Sequence, residues 1–143
     1  MALPIKLRHI PARAAAGAFI LDSGLGKRHL PDEGAAALQS MAASAFPQLA
    51  KLSPKDFGKL VSTSEIALGA ALLVPVVPTW LAALGLAGFS ASLLRMYTKI
   101  PGLTRSDGIR PTAEGNAIAK DVFLAGIAGT LLVDELTSRA HQP

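Results

Sequence analysis

The chain has 143 residues, enough for one domain. Half of them are hydrophobic and 17% are charged, whereas soluble domains carry about 25% charged residues, so the composition disfavours a soluble domain. The net charge of +4 is spread over flanks and loops, which indicates membrane topology and anionic lipid rather than nucleic acid as a partner. The absence of cysteine excludes disulfides, thiolate nucleophiles and thiolate metal ligands.

Four apolar segments are predicted to be membrane-spanning helices. Asp22 interrupts the first, which is short and rich in Gly and Ala and does not resemble a cleaved signal peptide. Ser53 is the predicted N-cap of the second, and Pro54 suits its first helical position. No Asp, Glu, Lys or Arg occurs from Ile66 to Leu94, and about 20 apolar residues suffice to cross a bilayer. The predicted spans are about 12–27, 54–74, 79–97 and 116–136.

The prolines of PVVP (75–78) predict a tight turn, so the second and third spans form a helical hairpin. Trp80 and Tyr97 stand at the two ends of the third span, where interfacial aromatic residues are favoured. The Ala-rich stretch at about 32–46 predicts an amphipathic surface or interfacial helix, and residues 98–112 are predicted to be a loop. The sequence therefore predicts an all-α fold: an integral membrane four-helix bundle, one domain over 1–143, with an additional amphipathic helix in the first long loop.

Five charged residues fall inside or at the ends of the predicted spans. An ionisable group inside a span costs ~2.5–3.5 kcal/mol, faces the bundle interior and usually has a partner. We therefore predict a polar cluster in which Glu65 pairs with Lys120 or Lys27 and Asp22 joins the network. Two interpretations remain open: the cluster fixes helix order and register, or it binds a proton or a headgroup. The five residues are Asp22, Lys27, Glu65, Lys120 and Asp121.

Several kinds of site are not predicted. His9, His29 and His141 lie at or outside the span ends, so no two histidines could hold a haem across the bilayer. No His/Glu spacing of a metal site is present, and GLGK (24–27) lacks the preceding strand and the Lys-Ser/Thr ending of a phosphate loop. No catalytic residue, metal site or cofactor is predicted. Asp134, Glu135 and Arg139 are interpreted as the polar end of the last helix.

Three stretches resemble the DoxX-like family of small four-helix bacterial membrane proteins: RAAAGAFILDSGLGK, FGKLVSTSEIALGAALLVP and NAIAKDVFLAGIAGTLLV. The resemblance covers residues 13–136 in the order of four elements. It implies a multi-pass bundle in the bacterial inner membrane, since members occur as small subunits of membrane oxidoreductases such as thiosulfate:quinone oxidoreductase. The chain departs from thiol-handling relatives because it has no cysteine. The family-like positions are Gly24, Lys27, Glu65, Gly69, Lys120 and Asp121.

Three functions are weighed on this basis. The first is a non-catalytic accessory or anchoring subunit of a membrane-bound oxidoreductase, which predicts a larger protein partner. The alternative is a carrier that binds quinone or lipid at a polar site around Glu65 inside the bundle. An enzyme in its own right would need a nucleophile or a redox centre, and the sequence offers neither. Lys and Arg are more frequent in the two long loops than at the ends, which favours cytoplasmic loops.

Overall fold

The computed structural model describes residues 3–140, which are helical apart from turns and one loop. No strand occurs within these residues, so the all-α prediction is confirmed. Short 3-10 helices at Leu7–His9, Lys27–His29 and Pro47–Lys51 join the longer ones. The α-helices are α1 (Ile10–Gly26), α2 (Asp32–Ala45), α3 (Pro54–Leu73), α4 (Thr79–Lys99), α5 (Asn116–Ala119) and α6 (Val122–Ala140).

Local sequence signals explain where α3 begins and ends. The Ser53 hydroxyl accepts a hydrogen bond from the Asp56 N–H at 3.1 Å, and Pro54 occupies the first helical position. This is the predicted N-cap, which satisfies a backbone donor that the first turn leaves unpaired. The prolines of residues 75–78 end the helix and begin α4 after a short turn. The predicted tight turn between two helices is therefore confirmed, whereas a membrane crossing by both helices stays a prediction.

Residues 100–115 form a loop that folds over the end of α4. Tyr97 is buried, and its hydroxyl donates to the carbonyl oxygen of Ile109 at 2.6 Å, so it holds the loop against the end of α4; its place at a membrane interface stays a prediction. The Asp107 carboxylate accepts hydrogen bonds from the N–H of Ile109 and from the side chain and N–H of Arg110. These bonds, with that from Ile109 the largest effect, lower the pKa of the Asp107 carboxyl to about 2. Gly108 completes the turn at φ +71°, which other residues rarely adopt.

Close backbone contact joins α1 to α3, which run antiparallel. A Cβ added at Gly24 would lie 2.8 Å from the Ile66 nitrogen, and one at Gly69 would lie 2.6 Å from the Leu21 nitrogen. Such small-residue contacts allow the two backbones to approach closely and gain dispersion energy. The contact face of α1 runs through Arg13, Gly17 and Gly24, which are buried.

Two apolar cores fill the bundle. The larger one joins α1, α3, α4 and α6 around Ile20, Leu72 and Leu86, and α4 packs closely on α6. The smaller one joins α2 to the first half of α3 and the last half of α4 through Ala42, Phe57, Met96 and their neighbours. We call the end of the bundle that carries α2 and residues 100–115 the loop end, and the opposite end, which carries His9, Thr79 and Asp134, the terminal end.

Two helical segments, Thr79–Lys99 and Asn116–Ala140, are long and apolar enough to cross a membrane. Of the apolar window, 33% is buried in the first and 17% in the second. A core helix of a soluble protein would be mostly buried, so these surfaces point to lipid or a partner. The other two predicted spans are helical but less suited to crossing: α1 has 17 residues, and the first half of α3 carries Lys55, Asp56 and Lys59.

Candidate functional site

The Glu65 carboxylate is buried in the bundle and paired with Lys27. The Lys27 ammonium lies 3.0 Å from Oε1 and 2.9 Å from Oε2 of Glu65, and it also donates to the Ser23 hydroxyl at 2.6 Å. The Glu65 side chain is 7% exposed and that of Lys27 24%. Lys27 caps the C-terminus of α1 with helical backbone angles, three residues after the buried Gly24, so its side chain continues the face of α1 that meets α3 and reaches Glu65. Of the two predicted partners of Glu65, the structure selects Lys27.

The other three predicted members are placed differently. Asp121 is half-buried at the turn between α5 and α6, close enough to Glu65 and Lys27 to interact electrostatically with both. Asp22 and Lys120 are exposed, and neither forms a side-chain hydrogen bond or ion pair with another residue of 3–140. The prediction that Asp22 joins the network is wrong, because Asp22 projects from the side of α1 opposite Gly24.

A cavity of about 470 Å³ lies at the loop end, and Lys27 and Glu65 are its charged lining residues. We call it the cleft. The remaining lining is mainly apolar and comes from α2, from residues 46–49 after it, and from α3 and α4. The volume falls in the usual range for small-molecule sites, ~300–1,000 Å³. The lining residues are Lys27, Leu38, Ala42, Phe46, Gln48, Leu49, Phe57, Val61, Glu65, Phe89, Ser92, Leu93 and Met96.

The helix α2 forms one wall of the cleft, and two polar side chains fix its position. The Gln39 amide donates to the carbonyl oxygens of Leu49 and Leu52, at 2.7 Å each. Arg95 of α4 donates to the Ala45 carbonyl at 3.0 Å, and its guanidinium stands 5.3 Å from the centre of the Phe46 ring. The predicted amphipathic helix is thus packed onto α3 and α4, where it closes one side of the cleft.

At the terminal end, the buried guanidinium of Arg13 uses all five of its N–H donors. Their acceptors come from the end of α3, the turn after it and the start of α4. Nε donates to Leu72 O at 2.8 Å; Nη2 to Ala71 O at 2.8 Å and Val74 O at 3.1 Å; and Nη1 to Val77 O and Thr79 Oγ1, both at 3.0 Å. The last carbonyls of a helix lack hydrogen-bond partners inside that helix. Arg13 supplies donors to such carbonyls at the end of α3 and in the turn that follows it.

A second polar group surrounds Asp134 of α6. It accepts hydrogen bonds from Lys6 at 2.9 Å, from Arg8 at 2.8 and 3.0 Å, and from His9 Nε2 at 2.8 Å. The Lys6 ammonium also lies 3.0 Å from Glu135. Asp134 and Glu135, interpreted above as the polar end of the last helix, therefore fasten the segment before α1 to α6.

Ligand atoms of His9, Asp134 and Glu135 lie within 4.8 Å of one another, as in a metal site. The ammonium of Lys6 already stands between the two carboxylates, at 2.9 and 3.0 Å. A cation of the chain itself thus occupies the place that a metal would take, and the group is best described as an ion-pair network.

The roles of Arg13 and of the residues around Asp134 were not predictable from the sequence, because their partners lie far away along the chain. Among residues 3–140, no buried side-chain nitrogen or oxygen lacks a hydrogen bond, so the buried polar groups at both ends have partners within the chain. The chain matches no protein-family model, and no curated protein or solved structure shows significant similarity to it.

Proposed function

We propose that this chain is a four-span membrane protein that binds an amphipathic small molecule in the cleft. The observation that carries the proposal is the cleft itself: a largely apolar space that ends at the Lys27–Glu65 pair. An apolar chain or ring system would lie against Phe57, Leu93 and Met96. A polar head would exchange hydrogen bonds with Lys27 and Glu65. Quinones and lipids have this division into apolar body and polar head.

The membrane setting supports the proposal. The segments Thr79–Lys99 and Asn116–Ala140 suit a bilayer by length and composition, and α1 and α3 pack against them in one bundle. In this arrangement the first half of α3, with its charged residues, lies at the interface, and Glu65 lies deeper. A buried ion pair at that depth is characteristic of sites that bind or transport.

A second candidate is the accessory or anchoring subunit of a bacterial inner-membrane oxidoreductase, as the DoxX-like resemblance implies. The observation that favours it is the apolar outer face of α6, where Phe123, Val133 and Leu136 are 72%, 60% and 68% exposed. A subunit could cover this face as well as lipid could. Stoichiometric recovery of a larger redox protein from a mild-detergent extract would support this candidate.

The test of the proposed function uses two neighbouring positions of α4. Ser92 lines the cleft, whereas Ala91 is exposed outside it. A phenylalanine at each position adds similar bulk, but Ser92→Phe fills the cleft and Ala91→Phe leaves it open. The purified proteins are extracted with organic solvent, and the retained quinones and lipids are identified by mass spectrometry.

We expect Ala91→Phe to retain the same bound molecule as the unchanged protein and Ser92→Phe to lose it. Glu65→Gln should also lower retention, because it removes the charge that orients Lys27. Circular dichroism checks that each variant keeps its helical content. The same complement of bound molecules in both phenylalanine variants would refute the cleft as the binding site.

A further inference from the structure

A second cavity, of about 300 Å³, lies beside the cleft at the loop end. We call it the basic pocket. The cleft contacts Phe57, Val61 and Glu65 of α3, whereas the basic pocket is lined by a neighbouring face of the same helix. Lys27 lines both cavities. The charged residues of the basic pocket are Lys27, Arg28, Asp32, Lys55 and Lys59.

The charges of the basic pocket are unbalanced. Lys27 is paired with Glu65, but Arg28, Lys55 and Lys59 form no side-chain hydrogen bond or ion pair with any residue between 3 and 140. Lys55 and Lys59 are four residues apart on α3, a spacing at which like charges repel. Three unpaired cations thus meet one carboxylate, Asp32, and a bound anion would relieve their repulsion.

The donors of the basic pocket suit a phosphate group. Arg28 offers a planar fork that matches two phosphate oxygens, and the two lysines are compact charges that can approach the others. The Thr63 hydroxyl also lines the pocket and makes no hydrogen bond within the described chain. Basic pockets at the ends of membrane helices are typical binding sites for anionic lipid headgroups.

We propose that the basic pocket binds the phosphate of an anionic membrane lipid whose apolar chain lies in the cleft. This inference rests on the proposed function and specifies its ligand class. Head and chain would meet at Lys27, which lines both cavities. A soluble phosphate compound would meet the same cations, but it would leave the apolar cleft empty, so the lipid is favoured.

The experiment compares two double variants that remove the same charge. Lys55→Gln with Lys59→Gln changes the basic pocket, and Lys51→Gln with Lys99→Gln changes two exposed lysines outside it. Each protein is reconstituted in nanodiscs of equal parts phosphatidylglycerol and phosphatidylcholine with identical acyl chains. Native mass spectrometry after release into detergent counts the lipids of each class that remain bound.

The unchanged protein and the control double variant should retain phosphatidylglycerol in preference to phosphatidylcholine. The pocket variant should bind phosphatidylglycerol about five-fold more weakly for each lysine removed. Equal loss in both double variants would mean diffuse attraction to the anionic surface and would overturn the inference. The inference would also be overturned if the unchanged protein showed no preference for phosphatidylglycerol over phosphatidylcholine.

Inorganic phosphate separates the two sources of the anion. If millimolar phosphate competes for the basic pocket as effectively as the lipid does, the ligand is a soluble phosphate compound rather than a lipid. Weak competition by phosphate supports the lipid. Failure of the inference is distinguishable from failure of the proposed function. If Ser92→Phe still loses a bound molecule while the pocket variant keeps it, the cleft binds a ligand without an anionic head.

Discussion

Arg13 offers the sharpest test of how the hairpin of α3 and α4 is held. The change Arg13→Met keeps most of the apolar stem but removes the guanidinium. It removes the hydrogen bonds of Arg13 to five acceptors at the terminal end, four of them backbone carbonyls. Among these acceptors, Val74 O keeps the N–H of Val77, and Thr79 Oγ1 keeps its contact with His9 Nδ1. It also removes a positive charge from the C-terminal end of α3, where the helix dipole favours a cation.

The magnitude follows from how many of the five bonds are sealed from solvent. A hydrogen bond to a charged group contributes ~1.5–3 kcal/mol, so five would total more than the whole stability of many domains, ~5–15 kcal/mol. The bonds to Leu72 O and Thr79 Oγ1 are fully buried and the other three partly so. Water can replace the partly buried bonds after the change. Counting the two buried bonds gives a loss of about 3–6 kcal/mol.

Trp80, the one tryptophan of the chain, follows Thr79 and reports on this region. The assay is unfolding of the detergent-solubilised protein, followed by circular dichroism and by Trp80 emission. Arg8→Met is the matched control, because Arg8 has a side chain 59% exposed and binds Asp134 at the surface. Solvent screens an exposed ion pair, so this control should unfold nearer to the unchanged protein than Arg13→Met does. Equal unfolding midpoints for the two variants would refute the role assigned to Arg13.

Three further predictions concern other parts of the chain. Glu65→Ala should destabilise by about 3 kcal/mol because it strands the Lys27 ammonium, and adding Lys27→Met should recover part of the loss in a double-mutant cycle. Gly69→Ala should lower the free energy of unfolding by ~1–3 kcal/mol, because the new Cβ would meet the α1 backbone at 2.6 Å. Gly88→Ala should raise it by up to ~1 kcal/mol, because Gly88 has open space around it. Thermal unfolding of the two variants compares these effects. The Asp107 carboxyl should titrate near pH 2 by NMR. Because its pKa is depressed, the carboxylate stabilises the loop above pH 3.8, and this stabilisation is lost as the pH falls toward 2. A titration midpoint near 3.8 would contradict the turn hydrogen bonds.

Helix positions were predictable because their signals are local. Ser53 and Pro54 mark the start of α3, and the two nearby prolines mark the turn before α4. The amphipathic stretch before them gave α2. These features depend on residues a few positions apart, so the sequence carries them directly. How many of the helices could cross a bilayer does not follow from local signals in this way: four spans are predicted, whereas two helical segments are long and apolar enough to cross, and the first half of α3 is charged.

The polar site was predictable only in part. A buried Glu65 with Lys27 or Lys120 as its partner was predictable, because these charged residues stand within apolar segments. Which charged residue of the first segment faces the bundle interior depends on the rotation of α1 about its axis. Lys27 continues the line of Ile20 and Gly24, three and four residues apart, whereas Asp22 lies about 200° from Gly24 at 3.6 residues per turn. A helical projection of α1 would have separated them.

Arg13 could not be assigned from sequence, for a different reason. Its acceptors are mostly backbone carbonyls about 60 residues away, and every helix end has such carbonyls, so no residue type marks them. Near the start of a predicted span, an arginine is ordinarily a flanking charge. The cavity walls were equally hidden, since they depend on how α2 folds back onto α3 and α4.

The network at Asp134 constrains the order in which the bundle is assembled. Contacts between α1 and α3 need about 50 intervening residues, so that pair can form while the rest of the chain is still being synthesised. Lys6, Arg8 and His9 must wait for Asp134, more than 120 residues later. Until then His9 has no carboxylate partner from α6, and the early helices lack the neighbour that fastens their start. Completion of the fold is therefore coupled to the packing of α6, because the segment before α1 gains its ion pairs only after α6 has reached the bundle.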